Sequence, residues 1–362
     1  MNIQIPVYEP SLGGNEKKYV LDCLESTWIS SKGKYINLFE QGFAKYIDIT
    51  YATTVSNGTV AIHLALIALG IGPGDEVIVP SLTYIASVNA ITYTGATPVF
   101  VDSLVDTWQI DPEDVRRKIT PNTRAVMAVH LYGQACDMDP LMAICKEHNI
   151  FLIEDCAEAI GSKYKGKYVG TFGDISTFSF FGNKTITTGE GGMVVTNDPT
   201  LFDRSVHFKG QGLAKYRQYW HDVVGYNYRM TNICAAIGLA QLEQVETFIG
   251  QKRQVAAWYK KYLTNPDISF HAEAKDTFHT YWMCSILVKD SSKRELLRDK
   301  LADKGVETRP LFYPAHTMPM YSHKYQKHPV AEYLGWRGIN LPSFPTLKED
   351  QVKMISEIIN GM

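Results

Sequence analysis

The residue with the most chemistry in it is Lys184. It lies in a polar turn, Gly182-Asn183-Lys184-Thr185, between the apolar runs Ile175–Phe180 and Met193–Thr196, and the turn closes on Gly189, Gly191 and Gly192. An amine enclosed between buried strands is costly unless its charge is paired or its pKa falls. A lysine with a lowered pKa is the residue type that forms Schiff bases with carbonyl compounds. Asp155 directly follows the apolar strand Phe151-Leu152-Ile153, at a strand end where open α/β sheets bind ligands. Ser56-Asn57-Gly58-Thr59 stands at a strand-to-helix turn, where free N–H groups and the helix dipole suit a phosphate. An amine, a ring carboxylate and a phosphate turn are the contacts needed by pyridoxal 5′-phosphate. The carboxylate would keep the pyridine nitrogen protonated, so that the ring can absorb electrons when a substrate C–H bond breaks. Ser179 is a second phosphate ligand in this reading, Tyr84 an aromatic that stacks on the ring, and Glu158 a group at its polar edge.

Taken singly, each residue has a plainer reading. Lys184 could be an exposed lysine at a hairpin tip. Asp155 could cap the next helix, and Glu158 could complete a capping box. Gly58 and Thr59 could simply open a capped helix, Ser179 could be a satisfied core serine, and Tyr84 a core or interface tyrosine. Asn227, in Gly225-Tyr226-Asn227-Tyr228-Arg229, could be a polar turn. It is their occurrence together, in the order phosphate turn, carboxylate, lysine, that points to one cofactor.

The elements that must position these groups alternate. Helices are expected over 16–25 and around Ile36, Phe39, Phe43 and Tyr46, then a strand over 52–55 and a helix over 60–69 that is apolar on nearly every face. Strands at 76–79, 97–101, 124–130 and 150–154 alternate with helices at 83–93, after the Asp111-Pro112 start, and at 140–148. This is an α/β pattern: a mostly parallel sheet with helices on both faces. The strands 175–180 and 192–196, with only the lysine turn between them, imply one antiparallel member. Helix dominates 231–263, and the chain is divided near Gly250 into a large domain, 1–250, and a smaller C-terminal α+β domain, 251–362. That domain is expected to hold strands 281–288 and 306–311, a helix over 291–304, a Pro-rich loop in which His323 and His328 look like surface residues, and a last helix over 350–359.

The bulk numbers exclude other classes. With 362 residues, 45% hydrophobic and 20% charged, the chain is long enough for such a pair of domains. A net charge of −2 gives no reason to expect nucleic acid or an anionic membrane as partner. The six cysteines form no CxxC pair, which argues for reduced thiols in the cytoplasm and against a zinc site. The first residues lack the pattern of a signal peptide.

Ser56-Asn57-Gly58-Thr59, Glu154-Asp155-Cys156-Ala157-Glu158-Ala159, Phe178 through Lys184 to Gly192, and Asn227-Tyr228-Arg229-Met230 resemble the DegT/DnrJ/EryC1/StrS family of sugar aminotransferases. The resemblance covers essentially the whole chain. It implies the aspartate-aminotransferase-like architecture (pyridoxal-phosphate fold type I) and a homodimer with shared sites. It makes Lys184 the Schiff-base lysine and Asp155 the partner of the pyridine nitrogen. Gly58, Thr59 and Ser179 would hold the phosphate, Tyr84 would lie against the ring, and Asn227 would arrive from the other subunit. The family often has Gln where this chain has Glu158. Further stretches, among them Tyr219-Trp220-His221-Asp222 and Arg337-Gly338-Ile339-Asn340, are similar to members that aminate C4 of GDP-4-keto-6-deoxy-D-mannose with L-glutamate, for O-antigen and lipopolysaccharide synthesis. Close relatives that dehydrate the same sugar carry histidine in place of the lysine, so Lys184 argues for amino transfer. On this resemblance Tyr313 and His316 would meet the sugar, and Ser30 and Lys34 the nucleotide diphosphate. Arg229, Arg309 and Arg337 are all candidates for the glutamate carboxylate. Another nucleotide-linked keto sugar as substrate, and a regulator that binds cofactor without turnover, are the rival readings.

Overall fold

The structure, a computed structural model, describes residues 3–324 and 326–362. Met1 and Asn2, with which the expected large domain begins, lie outside the described residues. Seven strands form one sheet in the order Tyr51–Val55, Gly192–Thr196, Ile175–Ser179, Phe151–Asp155, Thr123–Val129, Glu76–Pro80, Thr97–Val101. Only Gly192–Thr196 runs against the others, pairing antiparallel with both of its neighbours. The remaining pairings are parallel.

The strands read as continuous apolar runs because both faces are covered. Val77, Val79, Met127, Val129 and Ile153 pack on one side, against the helices Gly58–Leu69 and Ile85–Tyr93. Ile78, Val126, Ala128 and Leu152 pack on the other, with Phe39 and Phe43 of the helix Lys34–Ile47 and with Leu141 and Ile144 of Met138–His148. Alternate residues of each strand thus feed two cores. The helix Gly58–Leu69 is buried on most sides, as its all-round apolar sequence requires, and it ends at Gly70 in the left-handed region, φ 80°.

A second sheet, Ile268–Phe270, Cys284–Val288, Gly338–Leu341, Arg309–Pro310, is antiparallel throughout. The helices Lys293–Asp303 and Glu349–Asn360 cover it with Leu297, Leu301, Val352 and Ile355. The long helical stretch is two helices, Asn232–Leu242 and Val245–Tyr262. Gly250 lies inside the second. Ahead of it Phe248 and Ile249 join the core of the large sheet, and beyond it Val255 and Tyr259 join the small one.

The C-terminal part departs most from expectation. Of the strand expected over 306–311, only Arg309–Pro310 pairs in the sheet, and Val306 bridges Ile5 of the N-terminal segment instead. Pro310 has no N–H to continue a ladder. The Pro-rich loop holds a helix, Pro329–Arg337, and an inner strand, Gly338–Leu341. The helix takes its N-terminal acceptor from far away: the Asp102 carboxylate accepts from the amides of Val330 (3.1 Å) and Ala331 (2.7 Å). His328 is not a surface residue. It is 2% exposed, with its ring 4.6 Å from that of His316, whereas His323 is exposed. A helix at Pro199–Lys209 was not anticipated. No helix among the described residues is long and apolar enough to cross a membrane.

Candidate active site

The candidate groups gather at the carboxyl ends of the central strands. Asp155 is the last residue of Phe151–Asp155 and is 3% exposed. Its Oδ2 accepts from the Ser87 hydroxyl at 2.8 Å and its Oδ1 from the Ala157 amide at 3.1 Å. Burial raises its pKa, against the opposing pull of Ser87, Ala157 and Lys184. No helix follows it. Residues 157–161 form turns, so neither Asp155 nor Glu158 is a helix cap and both plainer readings fall.

Glu154, one residue earlier, points to the opposite side of the sheet and is fully committed. Its carboxylate accepts from the amides of Gly170, Phe172 and Gly173 at 2.7–2.8 Å and from His130 Nε2 at 3.0 Å. His130 Nδ1 accepts from the Cys136 amide at 3.0 Å. His130, Glu154 and Cys156 lie close enough together to suggest metal ligands. Yet the glutamate and histidine lone pairs are already used by protein donors, so the cluster reads as a brace for the strand that ends in Asp155.

Lys184 is not a hairpin-tip lysine: its side chain is 13% exposed. Its Nζ lies 3.7 Å from Glu158 Oε1 and 3.8 Å from the centroid of the Trp282 ring. Two distant segments clamp its backbone. Tyr8, from the N-terminal segment, donates its hydroxyl to the Lys184 carbonyl at 2.5 Å, and Trp282 donates Nε1–H to the Asn183 carbonyl at 2.7 Å. Burial lowers the amine's pKa, while Glu158 and Asp155 oppose the shift. Glu158, 5% exposed, accepts from the Tyr132 amide at 2.8 Å. Burial pushes its carboxyl up to about 7 despite Lys184. Asn183 Oδ1 and Thr185 Oγ1, on either side of the lysine, are buried without a hydrogen-bond partner among the described residues.

The start of the helix Gly58–Leu69 meets the end of the strand Ile175–Ser179. Asn57 Oδ1 caps the Val60 amide at 3.0 Å. A Cβ on residue 58 would lie 2.7 Å from Ser179 Cβ and 2.9 Å from its Oγ, so only glycine lets these elements approach. The structure therefore puts Gly58, Thr59 and Ser179 at one place, at the amide-rich end of a helix.

Tyr84, the exposed residue preceding the helix Ile85–Tyr93, has its ring 5.3 Å from Phe312. Tyr313 accepts from Arg294 at 3.2 Å. His316 is buried, with its ring nitrogens against Ser81 and Glu332. Asn227 is exposed and contacts Arg229. Ser30 and Lys34 stand apart from Lys184: the Ser30 carbonyl accepts from the Asn232 amide, and Lys34 pairs with Asp22 at 2.8 Å. The sequence reading missed Ser87, Tyr8, Tyr132 and Trp282. Ser87 had a signal, one turn into the helix that Tyr84 opens. The other three reach the site through tertiary structure alone.

The donor set fits pyridoxal phosphate. It offers an enclosed amine, a carboxylate for a ring nitrogen, a glycine-floored helix start for a phosphate, and unpartnered buried oxygens beside the lysine. Comparison with known proteins agrees with this chemistry. The model of the DegT/DnrJ/EryC1/StrS aminotransferase family matches residues 10–360. The chain is 70% identical over 356 residues to a GDP-perosamine synthase of Escherichia coli O157:H7, covering 98% of each chain. It is 55% identical to that of Vibrio cholerae, covering 99% of this chain and 98% of the other. The solved structure of S. venezuelae DesV superposes with a TM-score of 0.91 at 34% identity, covering 96% of this chain and 94% of that one.

Proposed function

The chain belongs to the DegT/DnrJ/EryC1/StrS aminotransferase family, whose cofactor is pyridoxal 5′-phosphate, and we propose that it transfers the amino group of L-glutamate to C4 of GDP-4-keto-6-deoxy-D-mannose, giving GDP-perosamine and 2-oxoglutarate. This product would serve O-antigen assembly, made in the cytoplasm. The observation that carries the reading is the Lys184 amine, enclosed at 3.7 Å from Glu158 on the side of the sheet where Asp155 ends its strand. Identity of 70% to a GDP-perosamine synthase supports the choice of sugar.

The residues divide the work as follows. The amides of Gly58 and Thr59 and the Ser179 hydroxyl would hold the cofactor phosphate, and Asp155, oriented by Ser87, would hold the ring nitrogen. Tyr84 would lie against the ring and Glu158 would meet its polar edge. Bound there, the cofactor supplies a carbonyl that takes up and hands on the amino group, and a ring that absorbs electrons. Lys184 Nζ is the general base that removes the proton from glutamate Cα, and the acid that delivers a proton to sugar C4. Asp155, carrying negative charge against the ring nitrogen, keeps that nitrogen protonated throughout. Tyr313, from the unit 251–362, faces the sugar over the larger unit 1–250, while His316, buried with its ring nitrogens against Ser81 and Glu332, braces that loop from behind. In a homodimer, Asn227 with Ser30 and Lys34 would be contributed by the second copy, and their exposure in the single chain supports this.

The test is incubation with L-glutamate and a panel of nucleotide-linked keto sugars, with mass analysis of the products. An amino group gained by GDP-4-keto-6-deoxymannose, with 2-oxoglutarate formed in equal amount, is expected. Amination of a different sugar alone overturns the choice of substrate.

A further inference from the structure

Trp282 lies two residues before Cys284–Val288, an inner strand of the second sheet, and no part of the reaction above uses it. It is 4% exposed, and its ring face is held against the lysine by two contacts. Nε1–H bonds the carbonyl of Asn183, the residue before Lys184. The Tyr132 ring lies 6.0 Å away and within 9° of parallel. Tyr132 in turn gives its amide to Glu158 and accepts the Phe312 amide on its hydroxyl at 3.0 Å. Tyr132 adopts the left-handed region, φ 58°, which is costly for a bulky residue. That backbone turn lets one residue anchor Glu158 with its amide and back Trp282 with its ring.

The result is a two-sided seat for Nζ, with an indole face at 3.8 Å and a carboxyl oxygen at 3.7 Å. An aromatic face attracts a cation through its quadrupole, and tryptophan does so best. Such a seat suits an ammonium better than a neutral amine. We propose that Trp282 and Glu158 form a berth for the Lys184 amine when it is detached from the cofactor, stabilising the ammonium that it becomes on taking a substrate proton, and that Trp282 is thereby a positioning residue for proton transfer. The inference rests on the reading of Lys184 given above. The proton gained from a substrate carbon stays on Nζ in the berth and leaves from Nζ to the next carbon, so only N–H and C–H bonds change. Other charged or titratable groups around the amine are Asp155, with His130 behind it, and the Tyr8 hydroxyl on the lysine's own carbonyl, with Lys252 Nζ 4.9 Å from the Tyr8 ring. None of them changes on substitution of Trp282.

The test uses the full-length holoenzyme after L-glutamate has converted the cofactor to its amine form and been removed by gel filtration. Acetic anhydride is applied across a pH series, and acetylation of Lys184 is measured by peptide mass spectrometry, with the exposed Lys215 as internal control. In Trp282→Leu the labelling midpoint of Lys184 should fall by about one pH unit, with a smaller fall in Trp282→Phe, which keeps an aromatic face. The midpoint of Lys215 should not move. The pH optimum of the glutamate half-reaction should shift in the same direction. Should Trp282→Leu fail to fold, the order of Trp and Phe still decides. If the visible band of the wild type does not bleach with L-glutamate, the reading of the site fails and the berth with it. If it bleaches but both variants keep the wild-type midpoint, the berth alone is overturned.

Discussion

Replacing Gly58 by alanine tests the proposed phosphate cradle at its tightest point. Gly58 does not adopt positive φ, so the backbone permits alanine, and alanine is the better helix former. Any loss must therefore come from the new methyl group. It would lie 2.7 Å from Ser179 Cβ, 2.9 Å from Oγ and 3.4 Å from Cα. Carbon pairs rest at about 3.5–4.0 Å, so the overlap with Cβ is close to 1 Å. A rotation of the serine cannot relieve it, because Cβ and Cα belong to a strand paired on both sides. The helix start must move, and overpacking of this kind costs about 1–3 kcal/mol. At about 1.4 kcal/mol per tenfold, the dissociation constant for pyridoxal phosphate should rise roughly 5- to 150-fold. The assay is titration of cofactor-free protein with pyridoxal phosphate, followed by absorbance. A double variant with Ser179→Gly removes the obstructing atoms. It should bind no worse than Ser179→Gly alone, a coupling that independent sites would not show. Wild-type affinity in Gly58→Ala, or simple additivity in the double variant, would refute the reasoning.

Two further outcomes follow from the buried carboxyls. The folded pKa of Glu158, about 7, stands above its ordinary 4.5, so its protonated form favours the fold. That contribution is fully present below pH 4.5 and is lost as pH rises through 7, a change of about 3 kcal/mol at ~1.36 kcal/mol per unit. Urea midpoints of Glu158→Gln relative to wild type should therefore improve steadily from pH 5 to 8, and parallel curves would contradict this. Ser87→Ala removes the donor at 2.8 Å from Asp155, a bond to a charged group worth about 1.5–3 kcal/mol. Because Ser87 holds the Asp155 pKa down, its loss raises that pKa further, and kcat should fall about tenfold or more. The deficit should narrow as pH rises and Asp155 ionises again. A deficit independent of pH would assign Ser87 a packing role only.

The sheet was legible in the sequence because each strand is a short apolar run bounded by turn residues, and the Asp111-Pro112 start marked its helix in the usual way. The helix Pro329–Arg337 was not legible, because its cap is Asp102, more than 200 residues away. The strand expected over 306–311 failed at Pro310, and Val306 was taken by the N-terminal segment. At the site, Gly58, Asp155, Ser179 and Lys184 stood out because the chemistry they offer is concentrated in local turns and strand ends. Trp282 and Tyr132 did not stand out. Trp282 reads as an ordinary core aromatic, and nothing in Leu131-Tyr132-Gly133 announces a left-handed tyrosine. Glu158 was legible as a departure from the family's usual glutamine, but its anchor on the Tyr132 amide belongs to the fold.

Among the described residues, three lysines have their amines lowered by burial: Lys184, Lys209 and Lys252, the last to about 7. Lys209 is held by Glu40 and the Thr54 carbonyl, and Lys252 by the Ser343 carbonyl. A low pKa alone therefore does not single out the reactive amine. Position does: Lys184 is the one of the three placed beside Glu158 and within the electrostatic reach of Asp155. Borohydride reduction of the holoenzyme, followed by peptide mass mapping, separates them directly. The account requires the reduced pyridoxyl phosphate adduct on Lys184 and on neither of the others. An adduct on Lys209 or Lys252, or none at all on an enzyme that still transaminates, would contradict it.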